Sequence, residues 1–379
     1  MTQLEPHRVR TTLAEATSVM VDDLRALVEC ESPSSDLAAL TTCADVVSGI
    51  GARLLGAPPR RVVVEGRPHL QWRFGEPTRV LLLGHFDTVW PRGSLRDHPF
   101  RVVDGRATGP GSFDMKAGLV QLMHALSVLP ALAGVEVLLT ADEEIGAPTS
   151  RPIIERSARR ARAALILEGS ADGALKVARK GISHYTVHVL GRAAHAGLDP
   201  HKGINAAVEI AHQVLAIAQL GDADAGTTVT PAVVQAGTTA NTVPAAARVS
   251  VDVRANTVEE QQRVRRELTA LSPHVPGAQV WVEDGAEHPP MTRAASRDLF
   301  AQAQQAADLL GLAPLRGVAV GGASDGNLTA GVGTPTLDGL GAVGGGAHAD
   351  DEHVTVAAMP ERAALVSLLT AQVQRGEAA

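Results

Sequence analysis

Residues 135–146 read VEVLLTADEEIG, an apolar run that is followed closely by three acidic residues. The run at 135–139 has the length and composition of a buried strand in an open sheet. Glu143 and Glu144 come soon after it, and two carboxylates this close raise each other's pKa unless a proton or a cation lies between them. The stretch therefore predicts a strand of an α/β domain whose carboxyl end faces a positively charged group.

Two other apolar runs lead into side chains that can bind a metal. RVLLLG at 79–84 is followed by His85 and Asp87, and AALILEG at 163–169 contains Glu168. Ligands of open α/β sheets collect at the carboxyl ends of the strands. We therefore expect these residues to converge although they are far apart in the sequence.

Two glycine-rich loops supply further candidates. GPGSFDMKAG at 109–118 contains Asp114, and GGGAHADDEH at 344–353 contains His348. Each candidate side chain taken alone is more often a helix cap, a solvated loop residue or a structural histidine than a functional group. Taken together, imidazoles and carboxylates without cysteine suit a divalent ion such as Zn²⁺.

The chain predicts two domains, one inserted into the other. Near residue 180 the buried runs give way to strictly alternating strands, which have one solvated face. The elements that follow have the order of a ferredoxin-like unit. They are strand 182–190, helix 205–219, strands 227–236 and 247–254, helix 258–271 and strand 278–282. We predict an α/β catalytic metal-binding domain with a mostly parallel sheet at 1–179 and 290–379, and an inserted α+β lid or dimerisation domain at 180–289.

Composition narrows the possible partners and locations. The 379 residues carry a formal charge of −7 and 2% aromatic residues, which argues against a nucleic-acid partner. No apolar run approaches the roughly 20 residues that span a bilayer, and the first ten residues lack a signal-peptide core. We expect no membrane partner and a cytoplasmic location. Cys30 and Cys43 have no ligand spacing and are expected to be reduced core thiols.

Six ordered motifs carry a family resemblance. They are GHFDTV, GPGSFDMKAG, TADEEIG, ILEG, GRAAHAG and GGGAH. They resemble those of the dinuclear zinc hydrolases that include glutamate carboxypeptidase, aminoacylase, acetylornithine deacetylase and succinyl-diaminopimelate desuccinylase, and are closest to glutamate carboxypeptidase. The resemblance implies two Zn²⁺ ions, with Co²⁺ or Mn²⁺ as alternatives. It implies that His85, Asp114 and Glu168 bind one ion, and Asp114, Glu144 and His348 the other.

The same resemblance assigns roles around the two ions. The three ligand carboxylates carry a total charge of −3 and the two Zn²⁺ ions a charge of +4, which leaves room for one metal-bound hydroxide as nucleophile. Glu143 is expected to act as general base toward it, and Asp87 to hold the second ring nitrogen of His85. Asp142 is expected to support the turn. The family also implies a cis peptide bond between Asp114 and Met115.

The inserted domain contributes candidate substrate contacts. GRAAHAG offers His195, which by resemblance stabilises the oxyanion, either in its own subunit or across a dimer. NTVP offers Asn241, and GGASDGN offers Gly322. Arg254 has the geometry to bind a substrate carboxylate with two hydrogen bonds, but an ion pair with Asp252 on the same strand face explains it nearly as well.

The sequence as a whole predicts a metallopeptidase or amidohydrolase. The expected reaction is cleavage of a small peptide or an N-acyl amino acid with release of a free amino acid, by a homodimer formed through the inserted domain. The stretch EDGAEHPPM at 283–291 lacks the arginines of glutamate carboxypeptidases, so an acidic substrate side chain has no obvious partner there. An aminopeptidase or dipeptidase of the same metal chemistry and a non-catalytic binding protein on this fold are the alternatives.

Overall fold

The computed structural model describes residues 5–376, so the first four and last three residues of the predicted catalytic domain lie outside the described part. Ten helices are described, namely α1 Pro6–Glu15, α2 Thr17–Glu29, α3 Leu37–Leu55, α4 Ala117–Ser127, α5 Arg151–Arg160, α6 Ala206–Ile217, α7 Val258–Thr269, α8 Arg293–Leu309, α9 Asp325–Gly331 and α10 Ala358–Arg375.

Eighteen strands are described over the same residues. They are β1 Arg60–Val64, β2 Arg67–Phe74, β3 Val80–His85, β4 Arg101–Val103, β5 Arg106–Thr108, β6 Val135–Thr140, β7 Ala163–Ile166, β8 Leu175–Arg179, β9 Gly181–Leu190, β10 Ala194–His195, β11 Thr228–Ala236, β12 Thr242–Val243, β13 Ala246–Ala255, β14 Gln279–His288, β15 Gly317–Val320, β16 Thr336–Leu337, β17 Gly344–Gly345 and β18 His353–Thr355.

The chain divides into two compact units. Unit 1 comprises Met1–Ala178, Arg293–Val320 and Ser324–Ala379, and unit 2 comprises Arg179–Thr292 with Gly321–Ala323. Unit 2 is therefore formed almost entirely by one continuous stretch that interrupts unit 1.

The main sheet of unit 1 has six strands in the order β1-β2-β6-β3-β7-β16. Strands β6, β3, β7 and β16 are parallel, whereas β1 and β2 are antiparallel to their neighbours. The sheet is thus mixed rather than uniformly parallel. The three strands that precede the predicted ligands, β3, β6 and β7, are adjacent at its centre, so their carboxyl ends lie side by side.

Both faces of this sheet are covered by helices. Val80 and Leu82 of β3 belong to the core with α3, α4 and α10, whereas Leu81 and Leu83 belong to a second core with α5 and α9. Because both faces of the central strands are buried, their sequences are continuously apolar instead of alternating.

Helix α3 corrects one expectation. By length and composition Leu37–Leu55 is apolar enough to cross a membrane, which differs from the expectation that no apolar run approaches this length. Its side chains Leu40, Cys43, Val47 and Ile50 belong to the core of unit 1. Cys43 is buried there as a free thiol, and Cys30, also free, lies just past the end of α2.

A four-stranded sheet of unit 1, β17-β18-β5-β4, brings the two glycine-rich loops together. His353 of β18 pairs with Thr108 of β5 in an antiparallel register. The loop that follows β5 and the loop that precedes β18 therefore start from neighbouring positions. These are the loops that contain Asp114 and His348.

Unit 2 is a four-stranded antiparallel sheet with two helices. The strand order is β11-β13-β9-β14, and the chain order β9-α6-β11-β13-α7-β14 is the βαββαβ order expected from the sequence. One face of the sheet packs on α6 and α7 through a separate apolar core that includes Val187, Val251, Ile210 and Val264. Strand β14 extends to His288, six residues beyond the predicted end at 282.

Candidate metal centre

The first group of candidate ligands lies at the end of β3. His85 Nε2 is 3.3 Å from Asp114 Oδ1 and 3.5 Å from Glu168 Oε1. His85 is the last residue of β3, and Glu168 lies two residues after β7, the parallel neighbour. Ligand atoms of His85, Asp114 and Glu168 all lie within 4.8 Å of one another.

The second group shares Asp114. His348 Nε2 is 3.4 Å from Asp114 Oδ2 and 3.2 Å from Glu144 Oε2. Asp114 therefore directs one carboxylate oxygen to His85 and the other to His348. The five residues that the sequence predicted as metal ligands thus form two groups of three with one carboxylate in common.

These distances fit divalent ions held by nitrogen and oxygen. With Zn²⁺ bonds of about 2.0 to 2.2 Å, neighbouring donors of a tetrahedral site lie roughly 3.3 to 3.6 Å apart. The four donor–donor distances above fall within 0.1 Å of that interval. Among the described residues, His85 Nε2 and Glu144 Oε1 are buried without a hydrogen-bond partner. Buried polar atoms normally have a partner in the protein, in ordered water or in an ion, and both of these atoms belong to the candidate ligands.

The electrostatics of the cluster also favour a cation. Hydrogen bonds to Asp114 and Glu144 raise the pKa of His348 to about 10. Burial raises the pKa of Glu143 well above its usual range, and the charge of Glu168 adds to the effect. Burial likewise raises the pKa of Glu144. The metal-free cluster therefore retains protons that a divalent ion can replace.

Asp87 connects His85 at the end of β3 with the turn that carries Glu143 and Glu144. Its backbone oxygen accepts a hydrogen bond from His85 Nδ1 at 3.0 Å, while its carboxylate oxygen Oδ1 lies 3.5 Å from the same nitrogen. The carboxylate accepts the backbone N–H groups of Glu143 and Glu144, at 3.2 Å each, and the hydroxyl of Ser34 at 2.7 Å. The expected contact was with the carboxylate, but the backbone carbonyl of Asp87 is closer to His85 Nδ1. The carboxylate instead fixes the turn at Glu143–Ile145.

Glu143 stands apart from both groups of ligands. Its Oε2 lies 3.9 Å from His85 Nε2, and its side chain is 15% exposed. Glu144, the next residue, belongs to the second group. The adjacent glutamates, which lie in the helical turn Glu143–Ile145 just after β6, therefore have different surroundings.

Two further expectations about local structure are confirmed. Asp142 is buried, and its Oδ2 accepts hydrogen bonds from the backbone and hydroxyl of Thr149 at 2.7 and 2.6 Å and from the backbone of Ser150 at 3.2 Å. The peptide bond between Asp114 and Met115 is cis.

Two buried acids near the centre were missed at the level of sequence. Asp325 follows the N-cap of α9 and accepts a hydrogen bond from Thr140 Oγ1 at 3.1 Å, and burial raises its pKa to about 8. Glu352 is 3% exposed and accepts backbone hydrogen bonds from the loop of Asp114. The signal available for Glu352 was a third acidic residue after His348, four positions along the chain.

In unit 2, His195 and Asn241 are neighbours. His195 Nδ1 accepts the backbone N–H groups of Gly197 and Leu198, each at 3.1 Å. Because Nδ1 is an acceptor, the neutral ring carries its proton on Nε2. The backbone oxygen of Asn241 accepts a hydrogen bond from the residue that follows His195, at 2.9 Å. Both side chains are exposed.

Arg254 lies elsewhere in unit 2 and is already paired. It donates two hydrogen bonds to Asp252, at 2.8 and 2.9 Å, so the ion-pair explanation is the one observed. Arg254 is eight residues along β13 from Ala246, or about 26 Å at 3.3 Å per residue. Ala246 marks the end of β13 nearer in sequence to Asn241. The structure therefore does not bring Arg254 together with the pair His195 and Asn241.

Gly322 is exposed, and its carbonyl accepts a hydrogen bond from Arg179 Nη1 at 3.0 Å. No described heavy atom other than its immediate neighbours lies within 4 Å of the position that a Cβ would occupy. The backbone at Gly322 is thus open to approach, and its role as a substrate contact stays a prediction.

Comparison with known proteins identifies the family. Residues 81–372 match the sequence profile of peptidase family M20/M25/M40. Carboxypeptidase G2 of Pseudomonas sp. (strain RS-16) is 30% identical over 313 residues, which cover 79% of this chain and 74% of that protein. An acetylornithine deacetylase of Salmonella arizonae is 34% identical over 150 residues, 38% of each chain.

The fold agrees with this assignment. The crystal structure of aminopeptidase PepT from Bacillus cereus has a TM-score of 0.71 to this chain at 22% identity, over 94% of this chain and 99% of PepT. The profile match spans all five candidate ligands. The chain belongs to peptidase family M20/M25/M40, and it is a metallopeptidase or amidohydrolase.

Proposed function

We propose that the protein is a dinuclear zinc hydrolase that cleaves a peptide or N-acyl amide bond and releases a free amino acid. The observation that carries the proposal is the pair of three-residue groups that share Asp114, with one carboxylate oxygen directed to each group. A shared carboxylate of this kind suits two ions about 3.5 to 4 Å apart. When bound, two divalent ions would lower the pKa of a water molecule and stabilise the negative charge that develops on the carbonyl oxygen.

Glu143 is the residue that moves protons in this proposal. It lies beside the first group without belonging to either, so its carboxylate is free to accept a proton from water and to donate it to the leaving nitrogen. Its position is fixed because Asp87 Oδ1 accepts its backbone N–H at 3.2 Å. Burial, which raises its pKa, favours the protonated form that the second step requires.

His195 is the proposed oxyanion donor. With Nδ1 engaged by two backbone N–H groups, its Nε2–H is directed away from them and can donate to a carbonyl oxygen as charge develops. Asn241, held next to it, is the proposed partner in substrate binding. Because Arg254 is paired with Asp252, it is not part of this proposal.

Carboxypeptidase and N-acyl-amino-acid deacylase activity are the forms of the reaction we propose. Carboxypeptidase G2 and acetylornithine deacetylase, both similar in sequence, support them by name. Both forms release an amino acid with a free carboxylate, so they share one substrate feature at the carboxyl end.

A substrate panel tests this assignment. The zinc-loaded protein should release amine from N-acetyl amino acids and from dipeptides with a free carboxyl terminus, and it should bind two ions per chain by elemental analysis. Dipeptide amides are the matched controls and should resist cleavage. The panel should include acidic, neutral and basic side chains. Cleavage of the amides but not of the N-acetyl amino acids would instead identify an aminopeptidase, and a two-metal protein inert to the whole panel would contradict the proposal.

We also propose a homodimer formed through unit 2. Strand β11 is an edge of its sheet, and Val233 and Val234 on it are 56% and 49% exposed. An exposed apolar edge strand favours pairing with another strand. Light scattering should give twice the mass of one chain for the wild type, and Val233→Lys should shift the protein toward monomer. A monomeric wild type at micromolar concentration would contradict this proposal.

A further inference from the structure

Glu352 is a buried carboxylate that is bound on both oxygens. Oε1 accepts the backbone N–H groups of Phe113 at 2.8 Å and Asp114 at 2.9 Å. Oε2 accepts the backbone N–H of Gly111 at 2.9 Å and the indole N–H of Trp90 at 2.8 Å. The side chain is 3% exposed. A charged acceptor with four N–H donors in a buried place holds its partners far more rigidly than a surface pair does.

The partners of Glu352 come from segments that carry the metal groups. Trp90 lies five residues after His85, and the N–H of Asp114 belongs to the shared ligand itself. Glu352 lies four residues after His348, and its own backbone N–H donates to Ala349, the residue next to His348, at 3.0 Å. One carboxylate thus connects the ligand-bearing segments around residues 85–90, 111–114 and 348–352.

We infer that Glu352 is a positioning residue that fixes the backbone of Asp114 beside the loop of His348, and thereby sets the spacing of the two metal sites. The inference rests on the proposed dinuclear function. Glu352 has no place in either group of ligands and acts through the backbone of Asp114. Since Asp114 serves both sites, a substitution of Glu352 should lower the metal affinity of both sites together. Loss of a ligand that serves one site, such as His348, should lower the metal affinity of that site only.

The direct test is Glu352→Gln, measured by Zn²⁺ titration of the metal-free protein in a calorimeter. Glutamine has one acceptor oxygen and one donor nitrogen, so either orientation of its amide loses one of the two pairs of hydrogen bonds. The metal-free variant should fold, and the dissociation constants of both sites should rise about 10- to 100-fold, the usual effect of removing a group that orients a metal ligand. Co²⁺ absorption should report altered geometry at both sites.

Three further variants separate positioning from general stability. Trp90→Phe removes one donor to Oε2 and leaves the bond to Asp114, so its Zn²⁺ affinity should stay within about threefold of the wild type. Asp350→Asn is the control within the same loop and should bind as the wild type does, because Asp350 contacts His98 at the surface. Glu352→Asp keeps the charge with a shorter side chain, and it should lose affinity even if Glu352→Gln fails to fold.

The outcomes are distinct. Weakening of both sites in the Glu352 variants, with Trp90→Phe and Asp350→Asn unaffected, would support the inference. Wild-type affinity in the Glu352 variants, or weakening of one site alone, would overturn it while leaving the proposed function intact. An equal loss of affinity in Trp90→Phe, in step with the thermal stability of the metal-free protein, would show a merely structural role. A wild-type protein that binds fewer than two ions would overturn the proposed function as well.

Discussion

The replacement Glu143→Gln is the most informative change in the centre. Glutamine has the shape of glutamate, and the backbone N–H that Asp87 accepts is unchanged. Glu143 lies outside both groups of ligands. The variant should therefore keep its fold and both metal ions and lose only the group that accepts and donates the proton.

The expected loss follows from the role of a general base. A positioned base contributes about 10² to 10⁴ in rate, which corresponds to about 2.7 to 5.4 kcal/mol in the activation free energy at 1.36 kcal/mol per tenfold. The loss should fall on kcat, with KM nearly unchanged, because Glu143 is assigned no substrate contact. Zinc should remain bound, because Glu143 belongs to neither group of candidate ligands.

The assay pairs steady-state kinetics with elemental analysis of zinc on the same samples. Glu155→Gln is the matched control, since Glu155 forms ion pairs with Arg151 and Arg159 on helix α5, and such surface pairs contribute little. Its kcat and zinc content should equal those of the wild type. If Glu143→Gln retained its zinc and turned over within about threefold of the wild type, Glu143 would not be the base. If it lost a metal ion, Glu143 would be a ligand instead.

Three other measurements follow from the same contacts. His348→Ala should reduce bound zinc from two ions to one per chain, as measured by elemental analysis; full occupancy would contradict its assignment. Contacts with Asp114 and Glu144 raise the pKa of His348 to about 10 from an ordinary value of 6.5, so Zn²⁺ must displace a proton at neutral pH. Its affinity by calorimetry should rise with pH between about 6 and 9 with net proton release, whereas a pH-independent affinity would refute this. The stability that the raised pKa gives the metal-free protein is complete below pH 6.5 and is lost as the pH rises through about 10. Asp142→Ala removes three hydrogen bonds to a buried carboxylate and should lower the free energy of unfolding by about 2 to 4 kcal/mol in urea; a loss below about 0.5 kcal/mol would show that the turn does not depend on Asp142.

The ligand-bearing segments were accessible from sequence because their signals are local. Each consists of a buried strand or a glycine-rich loop with a metal-capable residue at its end, and the parallel arrangement of β6, β3 and β7 brings the ends together. The ion pair of Arg254 with Asp252 was also one of the two interpretations that the sequence allowed, since the residues are two apart on one strand face.

The antiparallel part of the main sheet was not predicted. Strand β1 reads RRVVV and is mostly exposed, and β2 reads RPHLQWRF with polar residues buried inside it. His69 and Gln71 are buried there because they bond to Thr149 and Glu136. Hydrophobic periodicity fails for such a strand, because burial of its polar side chains depends on partners that lie far away in the sequence.

The extension of β14 was missed for a related reason. Residues 283–287 of that strand read EDGAE and are exposed. An edge strand needs backbone pairing on one side only, and β9 supplies it from Ile182 to Leu190. Because the pairing involves backbone groups, polar residues in the sequence gave no indication that the strand continues.

Glu352 shows the same limit at the site itself. Three of its four partners are backbone N–H groups about 240 positions away, and any non-proline residue has such a donor. Residue type can therefore identify ligands, which need particular donor atoms, but it cannot identify a carboxylate that acts on backbone. Metal sites require both kinds of residue, since the distances between ligands depend on the loops that carry them. The candidate ligands of this centre were predictable from the sequence, whereas the contacts proposed to set their spacing emerged only from the fold.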